Sequence, residues 1–135
     1  MRSWVMVCVL MGTSAVSLAA PCNTQQERAA IDEAGSLKSW AALHKSFVKF
    51  GHCDDGAIAE GYSESVTNLL AEHWESLPEL ARLADRDNGF SRFVLRHINE
   101  TVPPERLERI ANNAQKRCPK RLSTLCGQIA RSARA

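Results

Sequence analysis

The sequence lacks the short motifs that carry the commonest catalytic and cofactor-binding chemistry. It contains no Gly-x-Ser-x-Gly motif and no phosphate-binding glycine loop. All three methionines lie within residues 1–11, so the rest of the chain offers no thioether ligands for a methionine-rich copper site. No apolar run approaches the roughly 20 residues that a membrane-spanning helix needs. We therefore expect no enzymatic activity, no cofactor and no stable membrane anchor.

Residues 1–20 have the features of a cleavable export signal. Arg2 supplies a positive charge, a short apolar run occupies residues 4–11, and small residues follow at positions 14–20. We expect cleavage near Ala19 or Ala20, which leaves a single domain at residues 21–135. Pro21 stands directly before Cys22, where a lipoprotein signal requires a small residue such as Gly or Ala. The expected location is the periplasm, or otherwise the medium.

Four cysteines follow the predicted signal: Cys22, Cys53, Cys118 and Cys126. An even number of cysteines in an oxidising compartment predicts two disulfides, for which three connectivities are possible. We favour Cys118 with Cys126, because a short loop is the easiest to close. That choice pairs Cys22 with Cys53, and the other pairings remain open.

Charge is distributed unevenly along the chain. Residues 21–80 hold ten acidic and four basic residues, whereas residues 81–135 hold five acidic and twelve basic ones. The two halves could steer a charged partner, but we favour an arrangement in which they face each other or lie on solvated helix faces. The basic C-terminal half carries no interleaved aromatic residues for base stacking in its last 20 residues. We therefore expect no nucleic-acid partner.

Hydrophobic periodicity predicts an all-α protein, a compact irregular bundle of five or six short helices stabilised by disulfides. Thr24 and Glu27 have capping-box spacing for the first helix, and Ser36 is the predicted cap of the second. That helix should end at Gly51 in a left-handed conformation. The apolar stripe of the third helix is predicted to run to His73.

Gly61 lies inside the third predicted helix, where glycine costs about 1 kcal/mol relative to alanine. With Ala57 and Ser65 it forms a face of small residues at helical spacing. Such a face lets another backbone approach closely. We favour packing of a second helix of this chain over packing of an external partner.

The densest group of chemically active side chains lies at residues 52–64. The predicted partner-binding surface is acidic and includes the exposed part of one aromatic ring; it comprises Asp54, Asp55, Glu60, Tyr62 and Glu64. An alternative is a metal or small-ligand site built from nitrogen and oxygen ligands, namely His52, Asp54, Asp55 and Glu60. A structural interpretation competes with both, because an aspartate at a helix start caps backbone N–H groups.

The export signal, the all-helical body and the cysteine set Cys53, Cys118 and Cys126 resemble those of the small periplasmic immunity proteins that neutralise type VI secreted amidases. The resemblance spans the region after the signal and carries no inhibitory residue over to this chain. It implies a non-enzymatic protein that binds or inhibits a protein partner.

Overall fold

Seven α-helices and three single 3-10 turns form residues 20–135. A computed structural model describes residues 20–135, so the predicted export signal at residues 1–20 lies outside the described residues except for Ala20. The helices are α1 (Thr24–Ala34), α2 (Trp40–Phe50), α3 (Gly56–Glu72), α4 (Leu77–Arg86), α5 (Asn88–Arg96), α6 (Pro104–Lys116) and α7 (Ser123–Ala133). The 3-10 turns are Gly51–Cys53, Trp74–Ser76 and Lys120–Leu122. Residues 20–135 contain no strand, so the predicted all-α class is confirmed, with helices more finely divided than the five or six expected.

The first two helices begin near the predicted positions, but other residues cap them. Asn23 accepts a hydrogen bond from the Gln26 N–H, and the Gln26 side chain accepts one from the Asn23 N–H. This capping box begins one residue before the predicted one, because Asn is an even better cap than Thr. Ser39 caps α2 by accepting from the Ala42 N–H at 3.1 Å, whereas the Ser36 hydroxyl donates to the last turn of α1.

Gly51 ends α2 as predicted, but its conformation is not the predicted left-handed one. Its φ of −58° continues the right-handed course into the 3-10 turn. Glycine leaves room there for the Phe47 ring, since a Cβ would lie 2.9 Å from Cδ2 of Phe47. The left-handed conformation occurs instead at Gly56, with φ +51°, where the chain turns into α3.

Helix α3 lies at the centre of the bundle and packs against both α1 and α6. Its inner face carries Ile58, Tyr62, Val66, Leu69 and Leu70, all of them buried. The predicted stripe holds to Leu70 but not to His73, whose side chain is 52% exposed. The helix ends there, and Trp74 takes the buried position.

A close contact joins α1 to α3 at the small-residue face. A Cβ on Gly61 would lie 2.9 Å from Cβ of Ala34 and 3.0 Å from the backbone nitrogen of Gly35. One turn later, the Ser65 hydroxyl donates to the Ala34 carbonyl at 2.5 Å and accepts from the Leu37 N–H at 3.1 Å. The prediction that Gly61 serves helix packing within the chain is confirmed.

Both favoured disulfides are present. Cys22 bonds to Cys53 and fastens the segment before α1 to the turn before α3, and Cys118 bonds to Cys126 across the turn between α6 and α7. Two disulfides in one small bundle indicate an oxidising environment. Among residues 20–135, no helix is both long and apolar enough to cross a membrane.

Within residues 20–135, three ion pairs between arginine and a carboxylate connect the acidic half of the chain with the basic half. Each joins the start or the outer side of α3 to α5 or α6: Asp54 with Arg96, Glu64 with Arg106, and Glu72 with Arg109. The acidic and basic halves therefore face each other, as the charge distribution led us to favour.

Candidate functional site at the start of helix α3

Asp54 lies in a buried polar chain rather than on the surface. Its side chain is only 5% exposed, and Oδ2 accepts hydrogen bonds from Arg96 at 2.5 Å and from Nε2 of His97 at 3.1 Å. Since a carboxylate only accepts, the Nε2 of His97 carries a hydrogen, and Nδ1 of His97 lies 2.9 Å from the Ser63 hydroxyl, within hydrogen-bonding distance. The expectation that Asp54 contributes to an exposed acidic patch is wrong.

Burial alone would raise the pKa of Asp54. The hydrogen bonds and positive charges of His97 and Arg96 outweigh that effect and hold its pKa below the ordinary value. Asp54 is thus the ionised end of the chain. Within the described part of the protein, its second oxygen, Oδ1, is buried without a hydrogen-bond partner.

The order Asp54, His97, Ser63 is that of a nucleophile relay. Ser63 lies in the middle of α3 and is only 5% exposed, at the edge of a cleft that Asp54 and His97 also line. The three residues come from the turn before α3, from α3 itself and from the end of α5. The hydrogen-bonded chain of Asp54, His97 and Ser63 therefore holds these three segments together.

Tyr62 is fully buried, so the expectation that part of its ring is exposed is wrong. The Ser46 hydroxyl donates to the Glu33 carboxylate at 2.7 Å, and the Tyr62 hydroxyl donates to the Ser46 oxygen at 2.8 Å. Burial raises the pKa of the Tyr62 hydroxyl, and the charges of Glu33 and Asp54 act in the same direction. Tyr62 is a core residue whose polar end is satisfied internally.

The remaining acidic residues of the predicted surface are exposed, but they differ in their contacts. Asp55 is the N-cap of α3, and its side chain accepts from the Gly56 N–H at 2.8 Å. Glu64 is paired with Arg106. Glu60 is exposed and forms no ion pair with any group in residues 20–135. Asp55 and Glu60 are therefore the two predicted residues that present an uncompensated carboxylate.

A cleft of about 390 Å³ lies between α1 and the start of α3. The Cys22–Cys53 disulfide forms part of its wall. Ile31 supplies an apolar part of the lining, and Glu27, His52 and Asp55 supply polar parts. Ile31 is 46% exposed, which is unusual for a large aliphatic side chain in this protein. The cleft thus combines an apolar contact with carboxylates and an imidazole.

A second cleft of about 320 Å³ lies on the other side of the α3 start, and Gly56 borders both clefts. Glu60 and Ser63 line it from α3, and Arg96 and Thr101 line it from the opposite side. The first turns of α3 therefore form a ridge between two depressions.

The predicted ligand set of the metal alternative does not come together. His52 is exposed, Asp54 is turned inward to Arg96 and His97, and Asp55 caps its own helix. The potential metal-binding group that residues 20–135 do contain consists of Cys22, His52 and Cys53, whose ligand atoms lie within 4.8 Å of one another. Both sulfurs are in the disulfide, and Nε2 of His52 lies 3.3 Å from Oε1 of Gln26.

Sequence reasoning missed Glu27 and Ile31. A signal was present, because Ala30 and Ala34 form the buried stripe of α1 and Ile31 lies outside that stripe. No protein-family model, curated protein or solved structure matches the chain. The geometry of the α3 start is therefore the observation from which function is inferred.

Proposed function

We propose that this chain is an exported protein that binds and inhibits a protein partner, without enzymatic activity of its own. A cleaved signal peptide at residues 1–20 would deliver it to the periplasm, and the resemblance to immunity proteins of type VI secreted amidases supports an inhibitory role. The observation that carries the proposal is an exposed aliphatic side chain, Ile31, set among uncompensated acidic groups.

We define the α3-start surface as five residues around the first turns of α3: Glu27, Ile31, His52, Asp55 and Glu60. Protein interfaces commonly bury an apolar anchor at the centre and surround it with a polar rim. Ile31 supplies the anchor on this surface, and the carboxylates supply the rim.

The α3-start surface is held rigidly. The Cys22–Cys53 disulfide forms part of the wall of its cleft, and the packing of Gly61 against Ala34 fixes α1 against α3. A preformed surface loses little conformational entropy on association, so more of the contact energy appears as affinity. Rigidity therefore favours tight binding of one partner.

The charge of the surface indicates the chemistry of the partner. Glu27, Asp55 and Glu60 form no ion pair with any group in residues 20–135. A basic patch with an apolar centre on the partner would complement them and raise the association rate. We expect arginine or lysine side chains of the partner to border Ile31.

The experiment begins with affinity capture of a partner from an envelope extract, using the oxidised protein as bait. The captured partner is then titrated against Ile31→Ala and against the double variant Asp55→Asn/Glu60→Gln, in which Asn preserves the α3 cap. The matched control is Glu108→Gln, which removes one exposed carboxylate on α6.

We expect Ile31→Ala to weaken binding about tenfold or more, as loss of a central anchor does. The double variant should reduce the association rate and its dependence on salt, and the control should bind as the parent does. If both α3-start variants are folded and bind the partner with parental affinity, this surface is not the interface.

A further inference from the structure

Three potential soft-metal ligands meet at the edge of the larger cleft. The sulfurs of Cys22 and Cys53 and one ring nitrogen of His52 all lie within 4.8 Å of one another. Cys22 is half-buried and His52 is exposed, so the group can be reached from solvent. No such group surrounds Cys118 and Cys126 within residues 20–135, which makes that disulfide a natural control.

The geometry of these atoms is close to that of a zinc site. With Zn–S distances of about 2.3 Å and Zn–N distances of about 2.0–2.1 Å, the ligand atoms of a tetrahedral site lie roughly 3.5–3.8 Å apart. The histidine nitrogen therefore needs a movement of about 1 Å, while the two sulfurs must separate from their bonded distance. Reduction of the disulfide permits that separation.

One ring nitrogen of His52 already has an oxygen partner of the kind found in metal sites. Ligating histidines usually donate their other N–H to an oxygen, which fixes the tautomer and the ring orientation. Nε2 of His52 lies 3.3 Å from Oε1 of Gln26, so Gln26 would hold the ring when Nδ1 is the nitrogen that binds the metal. Glu27 and Asp55 line the adjoining cleft and would attract a cation.

We propose that reduction of the Cys22–Cys53 disulfide creates a Zn²⁺ site with Cys22, Cys53 and His52 as ligands. A dithiol reductant transfers two electrons and two protons, which gives two thiols and leaves the reductant as its own disulfide. Zn²⁺ then binds both sulfurs as thiolates and displaces their two protons to solvent. The cleft leaves the fourth position open to water.

This inference is independent of the proposed partner, because zinc binding can be measured on the protein alone. The protein is reduced with a phosphine under anaerobic conditions, freed of reductant and titrated with Zn²⁺ against a chromophoric chelator. Native mass spectrometry counts the bound ions, and circular dichroism follows the helical content.

We expect one Zn²⁺ per reduced chain and none per oxidised chain. The Cys118→Ser/Cys126→Ser variant should retain the ion, and Cys22→Ser/Cys53→Ser should lose it. His52→Gln should weaken binding about tenfold or more.

The proposal is overturned if the reduced protein binds no zinc or if His52→Gln binds it with parental affinity. It is also overturned if zinc depends on Cys118 and Cys126. The proposal is overturned as well if the Cys118→Ser/Cys126→Ser variant loses helical content when it is reduced. The proposed site depends on the position that His52 has in the folded protein.

Discussion

Replacement of Gly61 by alanine tests the packing of α1 on α3. In an unobstructed helix the change would stabilise the protein by about 1 kcal/mol through helix propensity. At Gly61 the new methyl group would lie 2.9 Å from Cβ of Ala34 and 3.0 Å from the nitrogen of Gly35, against an ordinary carbon contact of about 3.5–4.0 Å. Two of its three nearest atoms belong to backbone, so α1 itself would have to move.

Overpacking costs about 1–3 kcal/mol, and the need to move α1 places Gly61→Ala near the upper end, about 2–3 kcal/mol, against a gain of about 1 kcal/mol in propensity. We therefore expect Gly61→Ala to lower the free energy of unfolding by about 1–2 kcal/mol, or the melting temperature by about 4–8 °C. Gly127 in α7 is the matched control, because a Cβ there meets only the end of the Arg131 side chain at 3.5 Å. Gly127→Ala should stabilise the protein by about 0.5–1 kcal/mol.

Urea unfolding followed by circular dichroism measures both variants under identical oxidised conditions. We expect the change in the free energy of unfolding to have opposite signs for the same glycine-to-alanine substitution in α3 and in α7. A Gly61→Ala protein that is as stable as the parent, or more stable, would refute the close approach of α1 to α3.

Three further perturbations test the polar chain around Asp54, the contact between α1 and α3, and the disulfides. Asp54→Asn should destabilise the protein most above about pH 5. Because the folded pKa of Asp54 is lowered, the stabilisation by its carboxylate is complete above the unfolded pKa of about 3.9 and is lost as the pH falls. The urea unfolding curves of variant and parent should therefore converge in acid. Ser65→Ala should lower the free energy of unfolding by about 1–3 kcal/mol in the same assay, since it leaves a buried carbonyl and an N–H without partners. Removal of the Cys22–Cys53 bond should lower the free energy of unfolding by about 3–4 kcal/mol, and removal of the Cys118–Cys126 bond by about 2–3 kcal/mol. The first bond closes the longer loop, because the paired cysteines are 31 and 8 residues apart. Thermal melts that show the reverse order would contradict the loop-entropy argument.

Sequence patterns predicted the features that depend on nearby residues or on one helix face. The apolar stripe of α3, the function of Gly61 in packing and the short Cys118–Cys126 loop all belong to this kind. The other disulfide then followed from the two remaining cysteines. Helix caps were predicted to within a few residues, because several residues near each helix start can accept the same N–H bonds.

The contacts of the acidic side chains at the start of α3 could not be predicted from such local patterns. Asp54 and Asp55 are adjacent and chemically identical, yet one is buried against His97 and Arg96, more than 40 residues away, while the other caps a helix at the surface. Glu60 and Glu64 lie one turn apart, and only Glu64 meets an arginine from α6. Local periodicity gives the face of a helix but not the segment that packs there.

The ion pairs along α3 also determine how far the protein's charge acts in solution. Opposite charges a few ångströms apart largely cancel each other's field beyond the Debye length, which is about 8 Å at physiological ionic strength. Asp54, Glu64 and Glu72 therefore add little to the potential that an approaching molecule experiences. The field that an approaching molecule experiences would come chiefly from the carboxylates that have no cationic partner. A few surface positions would therefore determine how a charged molecule is oriented as it approaches.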